Sequence, residues 1–138
     1  MVRSLLLLPA LSLALLAAGC GSDTPTAPAD TPAVQVTETL FGTVTVNGGA
    51  TSTFDEAKAG SVTVQLTALT PDDTVKVGLQ LGTWNGTSCA ISSVVKDDAV
   101  LNSVLLGTAT GPGTLCVRVY DVGALTQPTD FEVRVDHY

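Results

Sequence analysis

From Val34 onward, apolar side chains recur at every second position. Val44 and Val46 alternate with Thr43 and Thr45, and Asn47-Gly48-Gly49 then supplies a tight turn into a return strand over residues 51–54. Val62, Val64, Leu66 and Ala68 alternate with Thr63, Gln65 and Thr67 as far as Pro71. After an Asp72-Asp73 turn, Val75, Val77, Leu79 and Leu81 alternate with Lys76, Gly78 and Gln80. Leu115, Val117 and Val119 do the same with Cys116, Arg118 and Tyr120, and so do Phe131, Val133 and Val135 with Glu132, Arg134 and Asp136. Two weaker strands fall near residues 90–95 and 103–108. A period of two gives each strand one apolar and one polar face, which two packed sheets require. Some seven to nine such strands, separated by Gly, Pro and Asp turns, predict an antiparallel, jelly-roll-like β-sandwich. If the last two clear strands pair as a hairpin, Arg118 faces Glu132 on the solvent side, and Cys116 shares that outer face.

The N-terminal segment reads differently. Met1-Val2-Arg3 is a short basic start, and residues 5–16 are apolar except for Pro9 and Ser12. A run of about a dozen residues is too short to cross a hydrocarbon core of roughly 30 Å. It has the layout of a secretory signal peptide. Its end, Leu16-Ala17-Ala18-Gly19-Cys20, resembles the lipobox of bacterial lipoproteins, with Ala17 where that family usually has Leu. The resemblance implies cleavage before Cys20 and lipidation of Cys20. It implies a membrane anchor of several acyl chains, each buried CH₂ contributing about 0.8 kcal/mol. Gly21 follows where an inner-membrane retention signal would have Asp, which points to the outer membrane of the cell envelope. The domain plan is then a signal peptide over residues 1–19, a lipidated Cys20 with a Pro/Thr/Ala-rich linker over 20–35, and a sandwich over 36–138. Pro25, Pro28 and Pro32, set among Thr, Ala and Asp, leave the linker too little apolar surface to fold.

Composition narrows the function classes. The chain has 138 residues, enough for one domain, and 45% hydrophobic against 14% charged residues places it among folded proteins. A formal charge of −7 argues against a nucleic-acid partner, whose phosphates need a basic face. With Cys20 assigned to lipid, the remaining pair, Cys89 and Cys116, stands in an oxidising compartment and is expected to form a disulfide. No zinc set, phosphate-cradling glycine loop or carboxylate pair in a cleft can be assembled, so no cofactor, no metal and no enzymatic role are expected. A Ser-His-Asp triad would need the single histidine, His137, which is expected in a frayed tail.

The strand-and-turn segments resemble the bacterial pre-peptidase C-terminal (PPC) domain family. The matching stretches are Phe41-Gly42-Thr43-Val44, Gly48-Gly49-Ala50-Thr51-Ser52-Thr53-Phe54 and Ala59-Gly60-Ser61-Val62-Thr63-Val64. The strongest are Gly113-Thr114-Leu115-Cys116-Val117-Arg118-Val119-Tyr120 and Asp130-Phe131-Glu132-Val133-Arg134-Val135. Together they span roughly residues 40–136. The resemblance implies a β-sandwich accessory module that serves secretion, localisation or polymer binding, although no enzyme domain is attached here. Some relatives bind calcium through Asp clusters. Asp72-Asp73 and Asp97-Asp98 are the nearest counterparts and read first as turn residues.

The leading expectation is a lipid-anchored, non-catalytic binding module for a polysaccharide or an envelope protein. A structural envelope subunit assembling through a sheet edge comes second, and a secreted hydrolase third. The contact candidates are Trp84 and Asn85, in a Gly/Asn-rich loop held at one end by Cys89, and Tyr120 on an outward face. A Trp84 folded back to cap the sandwich edge is the bland alternative.

Overall fold

The computed structural model describes Pro32 and residues 34–138, the side chains of residues 91–93 excepted. The expected signal peptide, Cys20 and nearly all of the linker lie outside the described residues. Eight strands follow one another: β1 (Val36–Val44), β2 (Gly49–Glu56), β3 (Gly60–Thr70), β4 (Val77–Trp84), β5 (Cys89–Ala99), β6 (Val104–Ala109), β7 (Gly113–Asp121) and β8 (Thr129–His137). They form two four-stranded antiparallel sheets with orders β1-β8-β3-β6 and β2-β7-β4-β5. This is the eight-stranded jelly-roll arrangement, in which most connections cross from one sheet to the other. Among the described strands, only β4 and β5 are sequence neighbours that also pair.

The core lies between the sheets. Val62, Val64 and Leu66 of β3 with Val133 and Val135 of β8 face Val77, Leu79 and Leu81 of β4 with Val117 and Val119 of β7. All are buried, each contributing about 1.5–3 kcal/mol relative to exposure. Leu40, Val75, Val94 and Leu115 pack against the rim of this cluster. Phe54 and Phe131 supply its two buried Phe rings.

The structure corrects two pairings expected from sequence. Asn47-Gly48 does not close a hairpin, because β1 joins β8 and β2 joins β7. The turn is a corner between sheets: the Gly48 amide donates to the Thr45 carbonyl, and Asn47 has φ 58°, a conformation Asn tolerates. The Asn47 amide donates to the Asp121 carboxylate, which fastens the corner to the end of β7. Val46 therefore lies in the turn and is exposed. Likewise β7 and β8 belong to different sheets, so Arg118 stands between Thr51 and Gln80, not opposite Glu132. Glu132 instead accepts from Thr67 Oγ1 at 3.0 Å.

A third difference has a local cause. Strict alternation puts Ala68 inward, but a register shift between Leu66 and Ala68 turns Leu69 into the core instead. A bulge inserts one residue and exchanges the faces beyond it. The edge strands carry the two bulkiest of the exposed apolar side chains described, Phe41 of β1 at 66% exposure and Leu106 of β6 at 72%.

Candidate functional site

The outer face of the sheet β2-β7-β4-β5 gathers the candidate chemistry. Along β4, Val77, Leu79 and Leu81 point inward, which leaves Gly78, Gln80, Gly82 and Trp84 on the outside. Register places Tyr120 opposite Gly78, Arg118 opposite Gln80 and Cys116 opposite Gly82. On the other side of β4, Trp84 faces Cys89.

The glycines let large groups lie flat on this face. A Cβ on Gly78 would come 2.1 Å from the Tyr120 ring, so the phenol rests directly on backbone. A Cβ on Gly49 would lie 3.1 Å from the Arg118 guanidinium. At Gly82 a Cβ would stand 2.1 Å from the Ala90 carbonyl oxygen and 3.0 Å from Cys89 Sγ. The disulfide joining Cys89 to Cys116 thus straps β5 to β7 across β4, with a Cα–Cα distance of 5.7 Å. Cys116 is on the outer face as its alternation requires, yet it is fully buried.

The β4–β5 loop is built by one side chain. Asn85 Oδ1 accepts from the amides of Thr87 and Ser88 at 3.0 and 2.8 Å, and its Nδ2 donates to Ser88 Oγ at 3.0 Å. Gly86 takes φ 96° at the tip, a left-handed conformation that glycine adopts without cost. Asn85, a sequence candidate for ligand contact, is thereby engaged in shaping the turn. Trp84 is the last residue of β4, half-buried, and borders an open cavity of about 440 Å³. Thr51, Gln80, Thr87, Ser88, Cys89 and Arg118 form the rest of its lining.

Two donor-bearing side chains that line this cavity have no hydrogen-bond or ion-pair partner among the described residues at their donor groups. Gln80 is 3% exposed, and its Nε2 makes no hydrogen bond. Arg118 packs its guanidinium 5.0 Å from the Tyr120 ring centroid, a cation–π contact that holds the fork in place. Among the described ion pairs, Arg134 is tied to Asp136 at 2.7 Å and Lys96 to Asp98 at 2.9 Å, but Arg118 has no acid. Sequence reasoning named Trp84 and missed Gln80, Thr51 and Arg118 as its companions. The available signal was Gly78-Leu79-Gln80-Leu81-Gly82, where glycines flank a polar residue on one face of an otherwise buried strand.

Tyr120, the third sequence candidate, lies beside the cavity and donates its hydroxyl to Asp97. Burial, then the hydrogen bond and negative charge of Asp97, push its phenol up from 10.0 to about 12, with Arg118 opposing. The folded state therefore holds this proton more tightly than the unfolded chain does. The associated stability is complete below the ordinary phenol value and is lost as pH rises through about 12. Ultraviolet difference titration of the wild type against Tyr120→Phe is expected to show a tyrosinate midpoint near 12. A midpoint at the ordinary value would mean that the Asp97 contact is not kept in solution.

Three of the four carboxylates considered for calcium are engaged locally. Asp72 accepts from the Thr74 amide and hydroxyl, Asp97 from Tyr120, and Asp98 pairs with Lys96. Among the described residues, no group of three or more His, Cys, Asp or Glu side chains is placed to hold a metal ion. His137 corrects the expectation of a frayed tail. It is 2% exposed at the end of β8, with Nδ1 3.6 Å from Glu56 Oε2 and Nε2 3.4 Å from Glu38 Oε1.

In comparison with known proteins, the chain matches no family model and no curated sequence. What the fold and the cavity define is a jelly-roll domain with a half-buried indole, an arginine and a buried amide on one outer face.

Proposed function

We propose that the protein is a non-catalytic binding module of the bacterial cell envelope, anchored through lipid on Cys20 and similar in role to PPC-type accessory domains. Its ligand is an extracellular polymer, met by the cavity at the β4–β5 hairpin. The observation that carries this reading is the convergence of the Trp84 indole with the unpartnered Gln80 Nε2 and Arg118. An indole offers a flat apolar platform to the ring face of a sugar, and the donors around it fix orientation. The disulfide ties the start of β5 to β7 across β4, so the platform is preorganised, which lowers the entropy lost on binding.

The test is co-sedimentation of the full chain, purified in detergent, with peptidoglycan sacculi, insoluble polysaccharides and fibrillar protein. Saturable pelleting that Trp84→Ala weakens by about tenfold or more is the expected result, the size of a lost aromatic hot spot. The same folded variant pelleting as well as wild type would sink the reading. Sedimentation without any polymer would favour the structural-subunit alternative, for which exposed Phe41 and Leu106 on the edge strands are the supporting feature.

A further inference from the structure

The cavity also carries a preference for one ligand chemistry. This step rests on the binding role proposed above and concerns what the same site selects. Gln80 Nε2 and the Arg118 guanidinium are both hydrogen-bond donors without an acceptor among the described residues. A buried donor without an acceptor is costly, so a ligand that supplies acceptor-only oxygens gains most here. A carboxylate is such a group, and a guanidinium 5.0 Å from the Tyr120 ring centroid offers the planar fork that takes it in bidentate fashion. The setting sharpens the argument. The chain carries a formal charge of −7, yet among the described residues this half-buried arginine makes no ion pair, whereas Arg134 lies 2.7 Å from Asp136. Trp84 completes the site with a surface suited to a ring face, and Thr51 adds a hydroxyl.

We infer that the cavity formed by Trp84, Gln80, Arg118 and Thr51 binds a carboxylate-bearing glycan, with the carboxylate on Arg118 and Gln80 and the sugar ring against Trp84. Arg118 and Gln80 stand opposite each other on neighbouring strands and both line the cavity, so the carboxylate meets Arg118 first, and Gln80 Nε2, which is buried, has to turn outward to join it. A neutral sugar would leave the guanidinium unmatched, and an acidic peptide would offer no ring face to the indole.

Calorimetric titration of the full chain in detergent tests this with oligomers of galacturonic, glucuronic and mannuronic acid, each beside its methyl-esterified form. Polyglutamate serves as the acidic peptide. The expected result is that at least one free acid binds, that its ester binds about tenfold or more weakly, and that Arg118→Gln closes this gap. Arg118→Lys keeps the charge without the fork and is expected to recover only part of the difference. Thermal unfolding confirms that each variant is folded. Esters that bind as tightly as acids, with Arg118→Gln silent and Trp84→Ala harmful, would overturn the acid preference and leave the binding role standing. Polyglutamate binding as tightly as any uronate would overturn the glycan assignment. No Trp84-dependent binding to any saccharide, acidic or neutral, would overturn both.

Discussion

Replacing Cys89 and Cys116 together by Ala is expected to lower the stability of the sandwich by about 3–4 kcal/mol. The two residues are 27 apart in sequence, and a loop of that length loses about this much unfolded-state entropy when it is closed. The net stability of such a domain is only about 5–15 kcal/mol, so the bridge is a large fraction of it. Position adds to the effect. Cys89 begins β5, an edge strand whose pairing with β4 shifts register twice. The bridge holds that irregular edge to β7, across a glycine that keeps the way clear. Loss of the strap should therefore loosen the β4–β5 hairpin first and carry Trp84 with it. Equilibrium denaturation with and without reductant measures the first effect, and tryptophan fluorescence along the same transition reports the second. A difference below about 1 kcal/mol would show that the bridge constrains the chain far less than the loop-closure argument requires.

The second large effect is expected at His137. Its ring lies 4.8 Å from the Phe54 ring, between Glu56 of β2 and Glu38 of β1, at the meeting point of both sheets. Glu56 is itself buried: Oε1 accepts from the Tyr138 amide at 2.9 Å, and Oε2 makes no hydrogen bond and lies 3.6 Å from the imidazole Nδ1. His137→Ala would open a cavity the size of a ring and leave a buried carboxylate oxygen facing it. The combined cost should be about 3–5 kcal/mol, the range seen when one side of a buried pair or an aromatic-sized group is removed. His137→Phe separates the two causes, since it refills the volume and still deprives Glu56 of its neighbour. Denaturant midpoints for both variants, with Glu56→Gln as the reciprocal change, give the partition. A loss under about 0.5 kcal/mol for His137→Ala would return these residues to the surface-like behaviour expected of a tail.

Much of this architecture is legible in the linear pattern. Alternation at Val62, Val64 and Leu66, at Val77, Leu79 and Leu81, and at Val117, Val119, Val133 and Val135 marks strands because a pleated chain sends successive side chains to opposite faces. What alternation leaves open is which strand lies next to which. An Asn-Gly turn reads the same whether it closes a hairpin or carries the chain around a corner. It is a corner here because β1 pairs with β8 and β2 with β7, and the Asp121 carboxylate, 74 residues from Asn47, fastens it. The bulge after Leu66 exchanges Ala68 for Leu69 without a local sequence mark, because it answers to the pairing with β8.

The candidate site divides the same way. The Asn85-Gly86 turn and its adjacent Trp84 are local, so sequence reasoning finds them. Arg118 and Gln80 become neighbours only when β7 docks beside β4, and His137 becomes a core residue only when β1 and β2 close over it.

By itself, then, the sequence determined most strands, their inward faces up to the bulge after Leu66, and the places of the turns, since these follow from periodicity and backbone preference within a few residues. Together with the secretory reading, it also left Cys89 and Cys116 as the pair for a bridge. Tertiary structure alone decided the sheet order, the burial of His137 and the convergence of Trp84, Gln80 and Arg118. Those depend chiefly on contacts between distant segments, from 32 residues between Thr83 and Leu115 to 101 between Val36 and His137, and long-range burial settles such pairings where local propensity is silent.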